Sequence, residues 1–151
     1  MKVEIYSRKA VTKLLKGNFP DNVAVISFYD PENQKMGEAE CPVDYSHKTK
    51  RVFSVAIYDI DIETLPEFGL TYDTFFPEVE DVAKFIYDAY HDGLDIICQC
   101  EYGQSRSAAC AAAILEHFYH NGLSVFADYR YFPNQMIFHK VFDALGARSE
   151  G

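Results

Sequence analysis

The stretch DIICQCEYGQSRSAACAAAILEHF (residues 95–118) decides the fold, because it joins two buried elements through one short polar loop. Residues 95–100 form an apolar run, and residues 108–118 are rich in alanine and apolar around nearly the whole helical circumference. Such a strand suits a sheet that is covered on both faces, and such a helix suits a central position. We therefore predict a buried strand that ends at Cys100, a loop, and a central helix.

The rest of the chain alternates strands and helices in the same way. Three further strands are predicted from β-rich apolar runs, at residues 3–7, 22–30 and 51–60. Three further helices are predicted from apolar residues at helical spacing, namely one between Ser7 and Gly17, one at residues 79–90 before Gly93, and one from Pro133 onward. Residues 31–50 are polar and indicate a long excursion with at most a short strand. The alternation predicts an α/β fold, with a largely parallel central sheet of about four or five strands and helices on both faces.

The composition predicts one soluble domain over residues 1–151. With 151 residues, of which 48% are hydrophobic, the chain is long enough to bury a core without disulfides. No segment approaches the ~18 apolar residues of a membrane helix, and no export signal is visible. We therefore expect a cytoplasmic protein with reduced cysteines and no membrane partner. The C-x-C pair, Cys98 and Cys100, lacks the spacing of a metal site, so neither a metal nor another cofactor is expected.

The charge of the chain bears on its partners. A formal net charge of −9 argues against a nucleic-acid partner, because phosphate contacts need clustered Lys and Arg. The one dense basic run, HKTKR (residues 47–51), is predicted to be a solvated loop. The open alternative is a patch that draws an acidic phosphoprotein to the surface.

The loop after Cys100 has the features of an anion site. In α/β folds, ligands bind beyond the carboxyl ends of the strands, where Cys100 lies. The amides of residues 101–106 can curl around a tetrahedral dianion at the positive end of the following helix. Arg106 adds a planar fork that fits two phosphate oxygens. The same field favours the thiolate form of a cysteine, so the loop predicts a nucleophile at Cys100.

Each residue of this loop is a candidate for phosphate binding. Gly103 permits a positive φ or a close backbone approach where the loop is tightest. Ser105 and Ser107 can hydrogen-bond the loop or the sulfur. The predicted phosphate-binding set is Glu101, Tyr102, Gly103, Gln104, Ser105 and Arg106. The remaining buried cysteines, Cys98 and Cys110, are predicted to be inert small hydrophobes.

The motif carries a resemblance to a known family. The segment CEYGQSRS matches the C-x5-R-[ST] signature of the cysteine-dependent protein phosphatases, and GQSRSA looks most like the dual-specificity branch. The segment VAIYD (residues 55–59) resembles the strand that ends in the general acid of that family. Residues 74–89 resemble its next helix, and FPNQMIFHKVF (residues 132–142) is similar to its Pro-Asn helix start. Together, the resembling segments cover residues 51–145.

The resemblance implies a function and a mechanism. It implies a protein phosphatase that hydrolyses phosphomonoesters of phosphotyrosine, with phosphoserine and phosphothreonine as further substrates, through a phosphocysteine intermediate. Its partner would be a phosphorylated protein or peptide, and the oligomeric state stays open. In this interpretation Cys100 attacks phosphorus, Arg106 binds the phosphoryl oxygens, and Ser107 assists breakdown of the intermediate.

The family also uses an aspartic acid, since an alkoxide leaves poorly without a proton donor. The resemblance implies that Asp59 protonates the leaving oxygen and later activates water. Asp61 and Asp73 are the alternatives for this role.

Two features depart from the family pattern, and two other functions stay open. Gln99 stands where the family usually has His, and the connector from Asp59 to the next helix is longer than usual. The loop itself holds Glu101 but no Lys or second Arg, which makes inositol polyphosphates and phosphoinositides poor substrates. One alternative is a phosphate-binding module, a pseudophosphatase that binds phosphorylated partners with little turnover. The other is a sulfurtransferase or arsenate reductase, for which Cys98 would be the nearest resolving thiol.

Overall fold

The computed structural model describes residues 1–31 and 40–150. Its four strands are β1 (Val3–Ser7), β2 (Val23–Tyr29), β3 (Val52–Ala56) and β4 (Asp95–Cys100). Its α-helices are α1 (Arg8–Leu15), α2 (Val79–His91), α3 (Arg106–Tyr119), α4 (Leu123–Phe126) and α5 (Gln135–Glu150). A short 3-10 helix spans Leu65–Phe68. In the part of the chain that is described, no helix is both long and apolar enough to cross a bilayer.

The strands form one parallel sheet in the order β1-β4-β2-β3. Ser7 at the end of β1 lies opposite Cys100 at the end of β4, and Tyr29 at the end of β2 lies opposite Ala56 at the end of β3. The carboxyl ends of all four strands therefore meet at one edge of the sheet. Cys100 lies at that edge on an interior strand, which is where ligands bind in open parallel sheets.

Helices cover both faces of the sheet, as the sequence predicted. On one face, α1 packs through Val11 against Val23, Val25 and Ile97 of the sheet, together with Tyr45. The other face carries the larger core, to which α2, α3 and α5 contribute. In α3, every residue from 106 to 114 is buried, which agrees with the alanine-rich sequence of this helix. The α/β fold with a parallel sheet is thus confirmed.

Two element boundaries differ from the predicted ones. The sequence predicted a strand to residue 60, but β3 ends at Ala56 because its partner strand β2 ends at Tyr29, two residues before Pro31. After Ile57, whose N–H donates to the Tyr29 carbonyl, the chain leaves the sheet. The last helix was predicted to begin at Pro133 and begins at Gln135. Asn134 precedes this helix, and its Oδ1 accepts a hydrogen bond from the Ile137 N–H at 3.0 Å, a typical cap.

The predicted excursion at residues 31–50 is described in part. Residues 32–39 lie outside the described residues, while residues 40–50 form turns and contain no strand. The 3-10 helix at Leu65–Phe68 and α4 were not predicted, because each spans only four residues and leaves no clear periodicity.

Candidate active site

The loop that joins β4 to α3, residues 100–106, is called the Cys100 loop below. Both of its ends are buried: Cys100 is 2% exposed and Arg106 is 5% exposed. The Sγ of Cys100 lies 3.1 Å from the Oγ of Ser107, in the first turn of α3. The geometry thus places a thiol at the bottom of the loop, with a hydroxyl that can donate a hydrogen bond to it.

The Cys100 loop rests on the junction between β1 and α1. Gly103 has a φ of 66°, and a Cβ at this position would lie 2.7 Å from the backbone N of Ser7 and 2.9 Å from the carbonyl carbon of Tyr6. The Arg8 N–H donates to the Glu101 carbonyl at 3.0 Å, and the Arg8 Nε donates to the Glu101 carboxylate at 2.7 Å. The loop is therefore held against β1 so closely that only glycine fits at position 103.

Substitution of Gly103 by alanine is expected to damage both stability and turnover. A Cβ in that place must displace backbone rather than a side chain, and its positive φ adds further strain. We expect the free energy of unfolding to fall by about 3 kcal/mol, as measured by urea denaturation. Displacement of the Cys100 loop should also lower the turnover expected from the sequence by roughly 10²-fold, since misplacement by about 1 Å has effects of that size.

A matched control separates the effect of the close contact between Gly103 and β1 from the effect of its positive φ. Gly93, which follows α2, has a φ of 71°, but a Cβ added there would meet nothing within 4 Å. Gly93→Ala should therefore lower the free energy of unfolding by only about 1–2 kcal/mol and leave turnover unchanged. Equal effects of the two substitutions on turnover would contradict the close-packing account of the Cys100 loop.

The N-terminus of α3 is left open towards the loop. Ser105, its N-cap residue, makes no side-chain hydrogen bond to the helix amides, because its Oγ donates instead to Asp59 Oδ1 at 2.7 Å. The first amides of a helix carry partial positive charge and need acceptors. The open N-terminus of α3 therefore offers donors to an anion held in the Cys100 loop.

Of the three candidate acids, Asp59 is the one that the structure brings to the Cys100 loop. Its Oδ1 accepts hydrogen bonds from Ser105 and from the Nδ2 of Asn134, the latter at 3.0 Å. Asp61 instead accepts from the N–H and hydroxyl of Thr64, and these bonds lower the pKa of Asp61. Asp73 is an exposed turn residue. Although β3 ends earlier than predicted, Asp59 still reaches the loop.

The guanidinium of Arg106 is held by hydrogen bonds at one nitrogen and has an unpaired, buried donor at another. Its Nη1 donates to Asp30 Oδ1 at 2.7 Å and to the Ile57 carbonyl at 2.8 Å. Its buried Nε has no hydrogen-bond partner among the described residues. Sequence reasoning missed Asp30, although a signal existed: Asp30 directly follows β2, the neighbour of β4 in the sheet.

Gln99 directly precedes Cys100, and the structure gives it an ordering role. It is fully buried; its Nε2 donates to the Cys100 carbonyl at 3.0 Å, and its Oε1 accepts from Ser27 Oγ and from the Tyr45 hydroxyl, the latter at 2.8 Å. Burial raises the pKa of Tyr45, so its hydroxyl stays a neutral donor. Sequence reasoning missed both side-chain partners of Gln99, Ser27 and Tyr45. The available signal for Ser27 was that it is a small polar residue within an apolar strand.

The other buried cysteines lie away from solvent. Cys98 and Cys110 are both 0% exposed. The hydrogen bond with Cys110, together with burial, raises the pKa of the Cys98 thiol. Such a thiol is a poor nucleophile, which agrees with the inert role predicted for both residues.

Exposed aromatic side chains lie on and beside the Cys100 loop. Tyr102, within the loop, is 78% exposed. Phe132 is 70% exposed, and its N–H donates to the Gln104 carbonyl at 2.8 Å. The buried side chains of Cys100 and Arg106 are therefore flanked by the exposed aromatic rings of Tyr102 and Phe132.

This parallel sheet, whose interior strand ends in a cysteine followed by a loop and a buried helix, has the same fold as solved protein phosphatases, dual-specificity phosphatases among them. No protein-family model matches this sequence. No curated protein matches it either. Among solved structures, PTPMT1 in complex with PI(5)P is similar, with a TM-score of 0.56 and 14% identity over 98% of this chain and 94% of that chain.

Two further solved structures share the fold. Human DUSP28 has a TM-score of 0.52 and 18% identity, over 98% of this chain and 94% of that chain. A human tyrosine phosphatase-like serine/threonine/tyrosine-interacting protein has a TM-score of 0.53 and 16% identity, over 95% of this chain and 87% of that chain. At these identities, the likeness is one of fold.

Proposed function

We propose that this protein hydrolyses phosphomonoesters of phosphorylated proteins or peptides, foremost phosphotyrosine, through a phosphocysteine intermediate. The observation that carries the proposal is the buried Nε of Arg106, which has no partner in the described part of the chain although Asp30 and Ile57 hold the other end of the guanidinium. Buried donors are rarely unpaired in native proteins, and an exception calls for an explanation such as a missing ligand. A phosphoryl oxygen above the Cys100 loop would pair with it.

In the first step, the Cys100 thiolate attacks phosphorus and the bond between phosphorus and the ester oxygen breaks. Arg106 and the loop amides hold the three remaining phosphoryl oxygens, so that negative charge in the transition state meets fixed donors. Asp59, in its protonated form, donates its proton to the departing oxygen. The products are a free hydroxyl compound and a phosphocysteine.

In the second step, water attacks the phosphocysteine. Asp59, now a carboxylate, accepts a proton from this water, and the bond between phosphorus and sulfur breaks. Ser107, 3.1 Å from the Cys100 sulfur, donates a hydrogen bond to the departing thiolate. Inorganic phosphate leaves, and the thiolate is restored for the next cycle.

The proposal is tested by the release of p-nitrophenol from its phosphate ester, in the presence of EDTA and a thiol reductant. None of the steps needs a metal, so turnover should continue in EDTA. A folded wild-type protein that binds phosphopeptides without releasing phosphate would support the phosphate-binding module instead. The structure argues against the sulfur-transfer alternative, because its resolving thiol, Cys98, is a free thiol that is 0% exposed and hydrogen-bonded to Cys110.

Replacement of Asp59 by asparagine tests the proton donor. The effect should depend on the leaving group: for a phosphotyrosine peptide, we expect kcat to fall by roughly 10²- to 10⁴-fold, the usual contribution of one positioned acid. For p-nitrophenyl phosphate, whose leaving group needs less protonation, the loss should be smaller. The measurement is the ratio of kcat for the two substrates, in the wild type and in the variant.

Asp61→Asn is the matched control, because Asp61 lies two residues away and its carboxylate is bonded to Thr64 instead. This variant should keep the wild-type ratio. A leaving-group dependence that appeared in Asp61→Asn and not in Asp59→Asn would reassign the acid.

A further inference from the structure

A groove of about 710 Å³ runs along the surface between α1 and the Cys100 loop. It is called the basic groove here. Its lining includes four cations from the α1 segment and two residues from the loop, namely Arg8, Lys9, Lys13, Lys16, Glu101 and Tyr102. The groove therefore adjoins the candidate phosphate site directly.

The charge of the basic groove contrasts with the rest of the protein. The whole chain holds 14 Lys and Arg against 23 Asp and Glu, yet four of those cations stand within residues 8–16, which contain no acid. Arg8 pairs with Glu101, whereas the three lysines of the groove form no ion pair within the described residues. Within the residues that the structure describes, an acidic protein thus presents a local concentration of unpaired positive charge beside its candidate active site.

Two of these cations, Arg8 and Lys9, oppose the local electrostatics of α1, whereas Lys13 in its last turn complements them. Arg8 and Lys9 begin α1, and the first turn of this helix holds no acidic residue. The N-terminus of a helix carries partial positive charge, so cations there are mildly unfavourable. Side chains that conflict with a local rule are expected where function requires them. Arg8 is compensated by its pair with Glu101, so the charge of Lys9 is the one that stabilisation of α1 does not explain and that points to a ligand.

We propose that the basic groove binds an acidic segment that flanks the phosphorylated residue of a protein substrate. This proposal rests on the proposed function, because it extends the substrate from the phosphate outward. Tyr102 belongs both to the Cys100 loop and to the lining of the groove. A peptide whose phosphate lies in the loop would therefore pass Tyr102 and place its neighbouring carboxylates near Lys9 and Lys13.

The contacts of α1 favour an acidic peptide over an anionic bilayer. A helix that lies on a membrane needs an exposed apolar face in addition to basic residues. In α1, however, Val11 is fully buried, and Leu14 and Leu15 pack against the core beneath the helix. The one exposed apolar side chain of α1 is the methyl group of Ala10, which is too small to anchor the helix in lipid, whereas a charged groove is sufficient for a peptide with carboxylates.

The test compares the wild type with Lys9→Gln/Lys13→Gln on matched phosphotyrosine peptides. One peptide of each pair carries glutamates on one side of the phosphotyrosine, and the other carries glutamines; a pair is made for each side. For the acidic peptide on the productive side, we expect kcat/KM to fall by roughly three- to tenfold in the variant, the size of two exposed charge pairs. Turnover of the glutamine peptides and of p-nitrophenyl phosphate should not change.

The chain offers a matched control in Lys2→Gln/Lys84→Gln, two exposed lysines that pair only with the surface carboxylates of Glu4 and Asp88 within the described residues. This variant removes the same charge from lysines that do not line the basic groove. It should leave all kcat/KM values unchanged, and the wild-type preference for acidic peptides should weaken as salt is added. If kcat/KM for the acidic peptide fell equally in the two double variants, the effect would be one of net charge, and the proposal that the groove binds the peptide would be overturned.

The outcomes separate this proposal from the proposed function. A wild type that hydrolyses p-nitrophenyl phosphate but treats acidic and glutamine peptides alike overturns the groove and leaves the phosphatase intact. If the wild type is inert, the phosphatase proposal fails, and fluorescence anisotropy with labelled peptides and the same variants decides the groove. If the groove binds lipid instead, the protein should sediment with phosphoinositide vesicles, Lys9→Gln/Lys13→Gln should not, and kcat/KM should be the same for acidic and glutamine peptides. That result would assign the groove to lipid and overturn the proposal.

Discussion

Replacement of Cys100 by serine is expected to lower turnover of p-nitrophenyl phosphate by on the order of 10⁴-fold or more, an effect typical of removing a catalytic nucleophile. The change exchanges one atom at a position that is 2% exposed, so packing should be preserved. A serine hydroxyl, unlike a thiol, has almost no anionic form at neutral pH, and the nucleophile is lost. The measurement is p-nitrophenol release by both proteins in EDTA and reductant.

Two controls make this loss specific. Cys41→Ser changes an exposed cysteine outside the site and should leave turnover unchanged. Cys100→Ser should also keep its affinity for phosphopeptides, because Arg106 and the loop amides remain. Turnover close to that of the wild type in Cys100→Ser would exclude a phosphocysteine mechanism.

The centre of the fold could be predicted from the sequence because its signals are local. In residues 95–118, the apolar strand, the glycine-containing loop and the alanine-rich helix each depend on neighbours a few positions away. The anion-binding tendency of a helix N-terminus and the apolar pattern of a buried helix are enough to predict these three elements, without knowledge of the remaining chain. The position of the Cys100 loop at the edge of a parallel sheet follows from this segment and the alternation of elements.

The partners of the loop could not be predicted, because they come from distant parts of the chain. Asp30 meets Arg106 across 76 positions, and Arg8 meets Glu101 across 93 positions. These contacts depend on the strand order β1-β4-β2-β3, which hydrophobic periodicity does not specify. The end of β3 was misplaced for the same reason, since a strand ends where its partner ends.

Arg106→Ala is the second substitution with a large expected effect. It removes the donors that would hold the transferring phosphoryl group, and kcat/KM should fall on the order of 10³-fold, the lower range for an arginine that stabilises phosphoryl transfer. Asp30 loses its partner but is 40% exposed on its side chain, so water can solvate the carboxylate and the fold should survive. The measurements are kcat, KM and inhibition by inorganic phosphate, which should weaken in parallel.

Two further variants identify what Arg106 contributes. Arg51→Ala breaks a surface pair with Asp92 and should leave turnover unchanged, which controls for the loss of one cation. Arg106→Lys keeps the charge but loses the planar fork, and it leaves no N–H where the unpaired Nε now lies. If the fork is what binds two phosphoryl oxygens, lysine should recover little of the lost rate. Recovery to near the wild-type rate would show instead that positive charge alone is sufficient at this position.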